Sequence, residues 1–272
     1  LLRMLAAVPF VQLIASPDTR VQSVSCNDLS RVVSAAVQGQ IPQGTTLDLI
    51  EDQPHTLQEI ALAHRAWLGF KAPSFVWRLP NAATTVVSAV ANGLAYLGWR
   101  SPLRSTAVRV LSDGITGQPS DLTRFGLTNV APLPAIFAAM PARTEDRLFA
   151  RLSLLMPLMV ATLCAFWLVS GVVGMVRVDQ AAAVLRDAGW SAGLATTSVL
   201  FWAVVDIAIA VAFAIRKTAA AACWAAIAVS LIYLGASTLV TPDMWLDPLG
   251  PLVKIFPDMA LALVTRAALD TR

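Results

Sequence analysis

Charge disappears from this chain in three long stretches. Residues 152–176 hold 25 positions without Asp, Glu, Lys or Arg, residues 188–215 hold 28 with Asp206 alone, and residues 218–242 hold 25 with none. A helix needs about 20 apolar residues to cross about 30 Å of hydrocarbon, so each stretch predicts a membrane-spanning helix. A fourth stretch, 249–269, has the length but carries Lys254, Asp258 and Arg266. Taken alone it could lie in the interface. The short connection before it, 243–248, favours a hairpin of spanning helices.

Before residue 150 the pattern is different. Charges are scattered and Pro and Gly punctuate often. Residues 21–24 read as a short strand, 27–37 as a helix capped by Asn27 or Asp28, and 46–50 alternate as a strand would. Thr56 opens a helix over 56–68, with Glu59 at the capping-box position and Gly69 as the stop. Residues 81–99 are free of charge, but Asn81, Thr84, Thr85, Ser88 and Asn92 make them polar for a span. An amphipathic soluble helix is preferred there over a fifth crossing. A short helix follows over 105–112, and 142–150 form a charged approach to the membrane. At the start, Arg3 and the apolar run 4–15 imitate a signal peptide. Pro9 in its middle favours an internal helix instead.

Composition agrees with the pattern. Of 272 residues, 57% are hydrophobic and 14% charged, against roughly 25% charged in an average soluble domain. Mean hydropathy is +0.66. A wholly soluble protein, a disordered chain and a nucleic-acid binder are all disfavoured. The net charge of +3 comes without any Lys/Arg run longer than Arg216-Lys217, so the basic balance reads as membrane orientation. One side would hold Arg143, Arg147, Arg151, Arg216, Lys217, Arg266 and Arg272, and the other Arg177, Arg186 and Lys254. This split places both ends of the chain in the cytoplasm, with Trp190 and Trp245 at the outer interface. Cys26, Cys164 and Cys223 are widely spaced and read as free thiols. His55 and His64 are nine apart, which gives no metal site on a helix.

Ionisable groups inside a bilayer mark candidate functional sites. Asp206 lies ten residues before Arg216, roughly 15 Å along a helix axis. Lys254 and Asp258 lie twelve and eight before Arg266, roughly 18 and 12 Å. The three therefore form a candidate intramembrane polar site. It reads either as a proton- or quinone-linked centre, or as a structural ion pair with Lys254 free to snorkel outward. Ser170, Gly171 and Gly174 read as a helix-packing face.

The chain resembles two known families. Residues 147–269 resemble the DoxX-like family of small four-helix membrane proteins. The carrying residues are Arg147-Leu-Phe-Ala-Arg-Leu, Phe166-Trp167, Ser170-Gly171 and Leu239-Val-Thr-Pro-Asp-Met-Trp-Leu-Asp-Pro-Leu-Gly-Pro-Leu-Val-Lys254. Residues 1–125 resemble the C-terminal part of an atypical extended short-chain dehydrogenase/reductase of the NAD-dependent epimerase/dehydratase type. That likeness rests on Val21-Gln-Ser-Val-Ser-Cys-Asn-Asp-Leu-Ser, Pro54-His-Thr-Leu-Gln-Glu and Leu97-Gly-Trp-Arg-Ser-Pro-Leu. Ser25 stands where that family usually has a histidine or an aromatic residue. The implied fold is an α-helical membrane protein. A partial α/β, Rossmann-type reductase remnant (its substrate-domain portion, 1–125) would lie in the cytoplasm. A linker (126–150) would lead into a four-helix transmembrane bundle (151–272, with spans near 152–176, 190–215, 218–240 and 249–269).

No GxGxxG or GxxGxxG occurs, and Tyr96 and Tyr233 are followed four later by Arg100 and Ser237, where the reductase family has Tyr-x-x-x-Lys. The resemblance thus implies no catalytic or cofactor-binding residue in this chain. NAD(P) is expected only with a cofactor half placed upstream of Leu1. The implied setting is a bacterial inner membrane, with lipid and a membrane protein or a second copy as partners. The DoxX namesake is a subunit of a thiosulfate:quinone oxidoreductase, so an accessory role in membrane redox chemistry is implied. A fragment of a tethered oxidoreductase and a small carrier are the alternatives.

Overall fold

In the computed structural model, residues 1–101, 103–248 and 250–269 are described. Leu249, at the start of the expected fourth span, and Arg272, in the orientation argument, lie outside them. The chain divides into two units, Leu1–Gly93 with Arg100–Leu154, and Leu94–Trp99 with Leu155–Arg272.

The first unit is a small α/β assembly. The apolar run at the start is neither a signal-type helix nor one internal helix. It forms α1 (Leu2–Ala6) and then β1 (Val11–Ile14). Pro9 lacks a backbone donor and Phe10 turns with φ of 64°, which ends the helix. The strand expected over 21–24 is shorter and shifted, β2 (Arg20–Val21). Beyond it the backbone is held by the main chain and side chain of Glu51 instead of a strand.

Helix α2 (Cys26–Val37) is capped by Ser25, not Asn27 or Asp28. The Ser25 hydroxyl accepts the Asp28 N–H at 3.0 Å, from an extended backbone that Asn27 and Asp28 have already left. Strand β3 (His55–Thr56) pairs antiparallel with β2. It leads into α3 (Leu57–Trp67), where the Thr56–Glu59 capping box is formed.

Strand β4 (Phe75–Arg78) pairs parallel with β1, from Val11 opposite Phe75 to Ile14 opposite Arg78. Residues 46–50 are not a strand. Their alternation does serve burial, since Leu47 and Leu49 pack on Val32, Ala35, Ile41 and Leu122. Their backbone is met by a loop, through Ser120 on Asp48, instead of a neighbouring strand.

Helix α4 (Asn81–Tyr96) is 16 residues long, about 24 Å and too short to cross a bilayer alone. Its exposed face carries Val86, Val87 and Val90. Helices α5 (Ser105–Asp113) and α6 (Leu133–Ala139) complete the first unit, together with the start of α7 (Thr144–Val176). The charged approach over 142–150 is not a separate segment. From Thr144 it is the first part of α7, a 33-residue helix that carries Pro157 in its interior.

The second unit is helical. After α7 come α8 (Val178–Asp187), α9 (Ala192–Ala214), α10 (Ala219–Val240) and α11 (Ile255–Leu269). Three of these, α7, α9 and α10, are long and apolar enough to cross a membrane. The expected fourth span, 249–269, is helical only from Ile255. Gly250, at φ of 55°, and Pro251 open a turn in place of a helix. Fifteen residues make α11 about 22 Å long.

One apolar core joins α7, α9, α10 and α11. Leu163, Trp167, Phe213, Cys223, Ala226 and Ala262 are among its fully or nearly buried members. Small residues dominate the α10 side, which lets helix backbones approach closely where no hydrophobic effect drives them together. Only 28%, 28% and 33% of the most apolar windows of α7, α9 and α10 are buried. Their uncovered faces carry Val169, Val172, Leu194, Phe201, Leu231 and Ile232. Water tolerates no apolar surface of this extent on a monomer, whereas lipid does.

Candidate functional site

Asp206 sits two-thirds of the way along α9 and is 3% exposed. A carboxylate at this depth requires partners. Ser170 on α7 donates its hydroxyl to Asp206 Oδ2 at 2.7 Å, while Oδ1 has no hydrogen-bond partner.

The approach of α7 to α9 that makes this bond depends on glycine. A Cβ on Gly171 would lie 2.6 Å from the Ala203 carbonyl oxygen and 2.7 Å from Ile207 Cγ1. One on Gly174 would meet Ala203 Cβ at 3.3 Å. Ser170, Gly171 and Gly174 thus all face α9, and the serine of the three holds the aspartate.

Asp206 lines a half-open cavity of about 410 Å³ walled mainly by α7, α8, α9 and α10. Trp202 and Tyr233 form part of its wall, with ring centroids 5.4 Å apart. Ser198 on α9 and Ser237 on α10 add hydroxyls to a lining that is otherwise largely apolar. Small side chains at Ala181, Ala203 and Ala236 leave the space open. Its size and character suit a small organic ligand.

The other two residues of the expected cluster are placed elsewhere. Asp258, near the start of α11, accepts the Ser230 hydroxyl of α10 at 3.4 Å. Lys254 is exposed. Among the described residues no ion pair joins Lys254 to Asp206 or Asp258. Each carboxylate is therefore matched to a serine on the neighbouring helix, and only Asp206 lines the cavity.

Trp202, Tyr233, Ser198, Ser237 and the whole of α8 were not read from sequence as parts of the site. Asp179, Arg186 and Asp187 hide α8 from a search for uncharged runs, although its Ala182 is fully buried against the unit. The opposing apolar and charged faces of 178–187 were the available signal.

In the first unit the buried polar groups are structural clamps. The Glu51 carboxylate, 1% exposed, accepts the N–H of Ser23 at 2.9 Å and of Leu133 at 2.8 Å, with His55 Nε2 at 3.3 Å. It thereby holds the N-terminus of α6, where a negative charge is favoured. The Arg65 guanidinium donates to the carbonyls of Ala6, Val8 and Lys71. His64 Nδ1 lies 2.8 Å from the Ile60 carbonyl, and its ring meets Phe137 and Trp67 edge-on. Burial lowers its pKa, the Ile60 bond opposes this, and Arg3 adds a smaller lowering. Among the described residues no group of three or more His, Cys, Asp or Glu converges as a metal site would. Cys26 is exposed, Cys164 half-buried and Cys223 buried, all as free thiols.

The helix N-termini of this unit also bear on a dinucleotide. Pyrophosphate binding requires a glycine turn and free N–H groups at a helix start. The turns after β1 and β4 contain no glycine. The first turns of α2 and α3 carry the carboxylates of Asp28 and Glu59, a charge of the same sign as a pyrophosphate.

Apolar helices of spanning length, with bare apolar faces around a largely apolar cavity, define a helical membrane protein. Residues 164–263, the part that contains Asp206, the cavity and Asp258, match the DoxX-like family. No curated protein and no solved structure matches the chain.

Proposed function

We propose that this chain is an integral protein of a bacterial inner membrane, with a DoxX-like helical part and both ends of the described chain on the cytoplasmic side. Residues 1–125 are read as the substrate-side portion of a reductase-like domain that carries no nucleotide pocket of its own. In this reading the chain performs no hydride transfer and serves as an accessory to membrane-associated redox chemistry. The membrane assignment rests on the three long apolar helices and their uncovered apolar faces. The cytoplasmic assignment rests on the clustering of basic residues. The Arg216 side chain donates to the Leu269 carbonyl at 3.1 Å, so α11 ends level with the α9–α10 turn, which is consistent with a fourth passage. Support for the reductase likeness is the quoted residue strings and the parallel β1–β4 pair, joined by a connection that contains α3.

Fractionation after expression tests the reading. The chain is expected in the membrane pellet after alkaline carbonate extraction and to be released only by detergent. The purified chain is expected to leave NADH fluorescence unchanged at high micromolar cofactor. Recovery in the supernatant without detergent would overturn the membrane assignment. Saturable NADH binding would overturn the non-catalytic one.

A further inference from the structure

We propose that the α7–α10 cavity binds a lipophilic amine, with Asp206 as counter-ion to its ammonium group. The proposal rests on the helical part lying in lipid. Three observations carry it. The Asp206 carboxyl lines the cavity, is almost wholly buried, and spends only one oxygen on a protein partner. The χ2 torsion of aspartate is soft and two-fold, so either oxygen can be turned to an occupant. Among the described residues no ion pair reaches this carboxylate, so a bound cation would supply the missing charge.

The second observation is aromatic. Trp202 and Tyr233 lie side by side in the wall, and their ring faces attract an organic cation. A hydrated metal ion would gain little from them. The third is shape and lining. About 410 Å³ holds a ring system with a short amine arm, and the apolar remainder of the wall suits such a body. Ser198 and Ser237 leave hydroxyl oxygens to accept further N–H bonds.

Three probes of one shape separate charge from fit: tritiated 1-naphthylmethylamine, 1-naphthylmethanol and 1-methylnaphthalene. They are measured on the full chain in lipid nanodiscs, with empty nanodiscs subtracted. The amine is expected to bind at least tenfold more tightly than either neutral probe. D206N should remove that preference while leaving the binding of 1-methylnaphthalene unchanged. A236F fills the cavity while retaining Asp206 and should abolish binding of all three, so the proposal stays testable if D206N does not fold. Equal affinity for amine and hydrocarbon would overturn the proposal. So would alcohol binding as tight as that of the amine, and so would an amine preference that survives D206N or amine binding that survives A236F. A chain that incorporates into nanodiscs but fails to discriminate sinks this inference alone. A chain that never enters the membrane sinks the reading beneath it.

Discussion

Gly171 and Gly235 are both helical glycines, and their surroundings separate what sequence treats alike. A side chain at Gly171 meets backbone at 2.6 Å, whereas one at Gly235 meets nothing within 4 Å. Backbone cannot swing away as a long side chain can, so G171A must push α7 from α9 and stretch the Ser170–Asp206 bond. Overpacking of this kind costs about 1–3 kcal/mol. G171A is expected to lower the melting temperature in detergent by several degrees, and G235A to leave it level or raise it slightly. Equal effects would show that the close approach is not real. His64 gives a second residue-scale outcome. Its folded pKa lies below the usual histidine value because burial disfavours the imidazolium. The unfolded chain then binds more protons in the window below about 6.5, and stability rises with pH there. The contribution is complete above the unfolded pKa and is lost as pH falls through the folded one. Hydrogen-exchange protection of α3 should therefore weaken on acidification, and H64F should flatten that slope. His55, beside Glu51 and Glu59, stays in place in both chains, so the difference between them isolates His64.

At the scale of elements, what could be read from sequence was what depends on neighbours along the chain. The three long runs with at most one charge become α7, α9 and α10 because length and polarity alone decide whether a helix can rest in lipid. The capping box of α3 is equally local. Thr56 and Glu59 satisfy each other's backbone donors within one turn. T56A should cost about 1 kcal/mol, visible as faster exchange in the first turn of α3 with little change in α2. What escaped the sequence was set by distant partners. Residues 46–50 alternate as a strand does, yet the chain that meets them is a loop near Ser120. The N-cap of α2 fell to Ser25, because φ and ψ at the boundary, not residue preference, decide which oxygen reaches the N–H. The candidate site divided the same way. Depth along a helix was readable for Asp206, but its serine partner, 36 residues away on another helix, was not. Lys254 was given its depth by counting residues back from Arg266, which presumes a helix that begins only at Ile255.

For the molecule as a whole, the number of crossings decides on which side each site faces, and α11 is the element in question. Alone, its 15 residues give about 22 Å, short of a full bilayer. Its ends nonetheless sit far apart along α10. Leu269 meets Arg216 at one end of the unit, and Asp258 meets Ser230 midway along α10. The turns over 251–254 and the 3₁₀ turn Pro242–Trp245 fill the remaining depth on the far side, where Trp245 donates to Thr238. Local thinning of the bilayer accommodates a short helix at modest cost. Four passages are therefore expected. Impermeant maleimide labelling checks this in a chain carrying C164A and C223A. Native Cys26 and a cysteine appended to the C-terminus should label only in inverted vesicles, and L246C only in right-side-out ones. Leu246 is 86% exposed, so its accessibility is not limited by packing. Labelling of the C-terminal cysteine together with L246C would mean three crossings and an α11 that never reaches the cytoplasmic face. The Arg216–Leu269 bond would then have to be absent from the protein in its membrane, because one residue pair cannot be in contact across the full thickness of a bilayer.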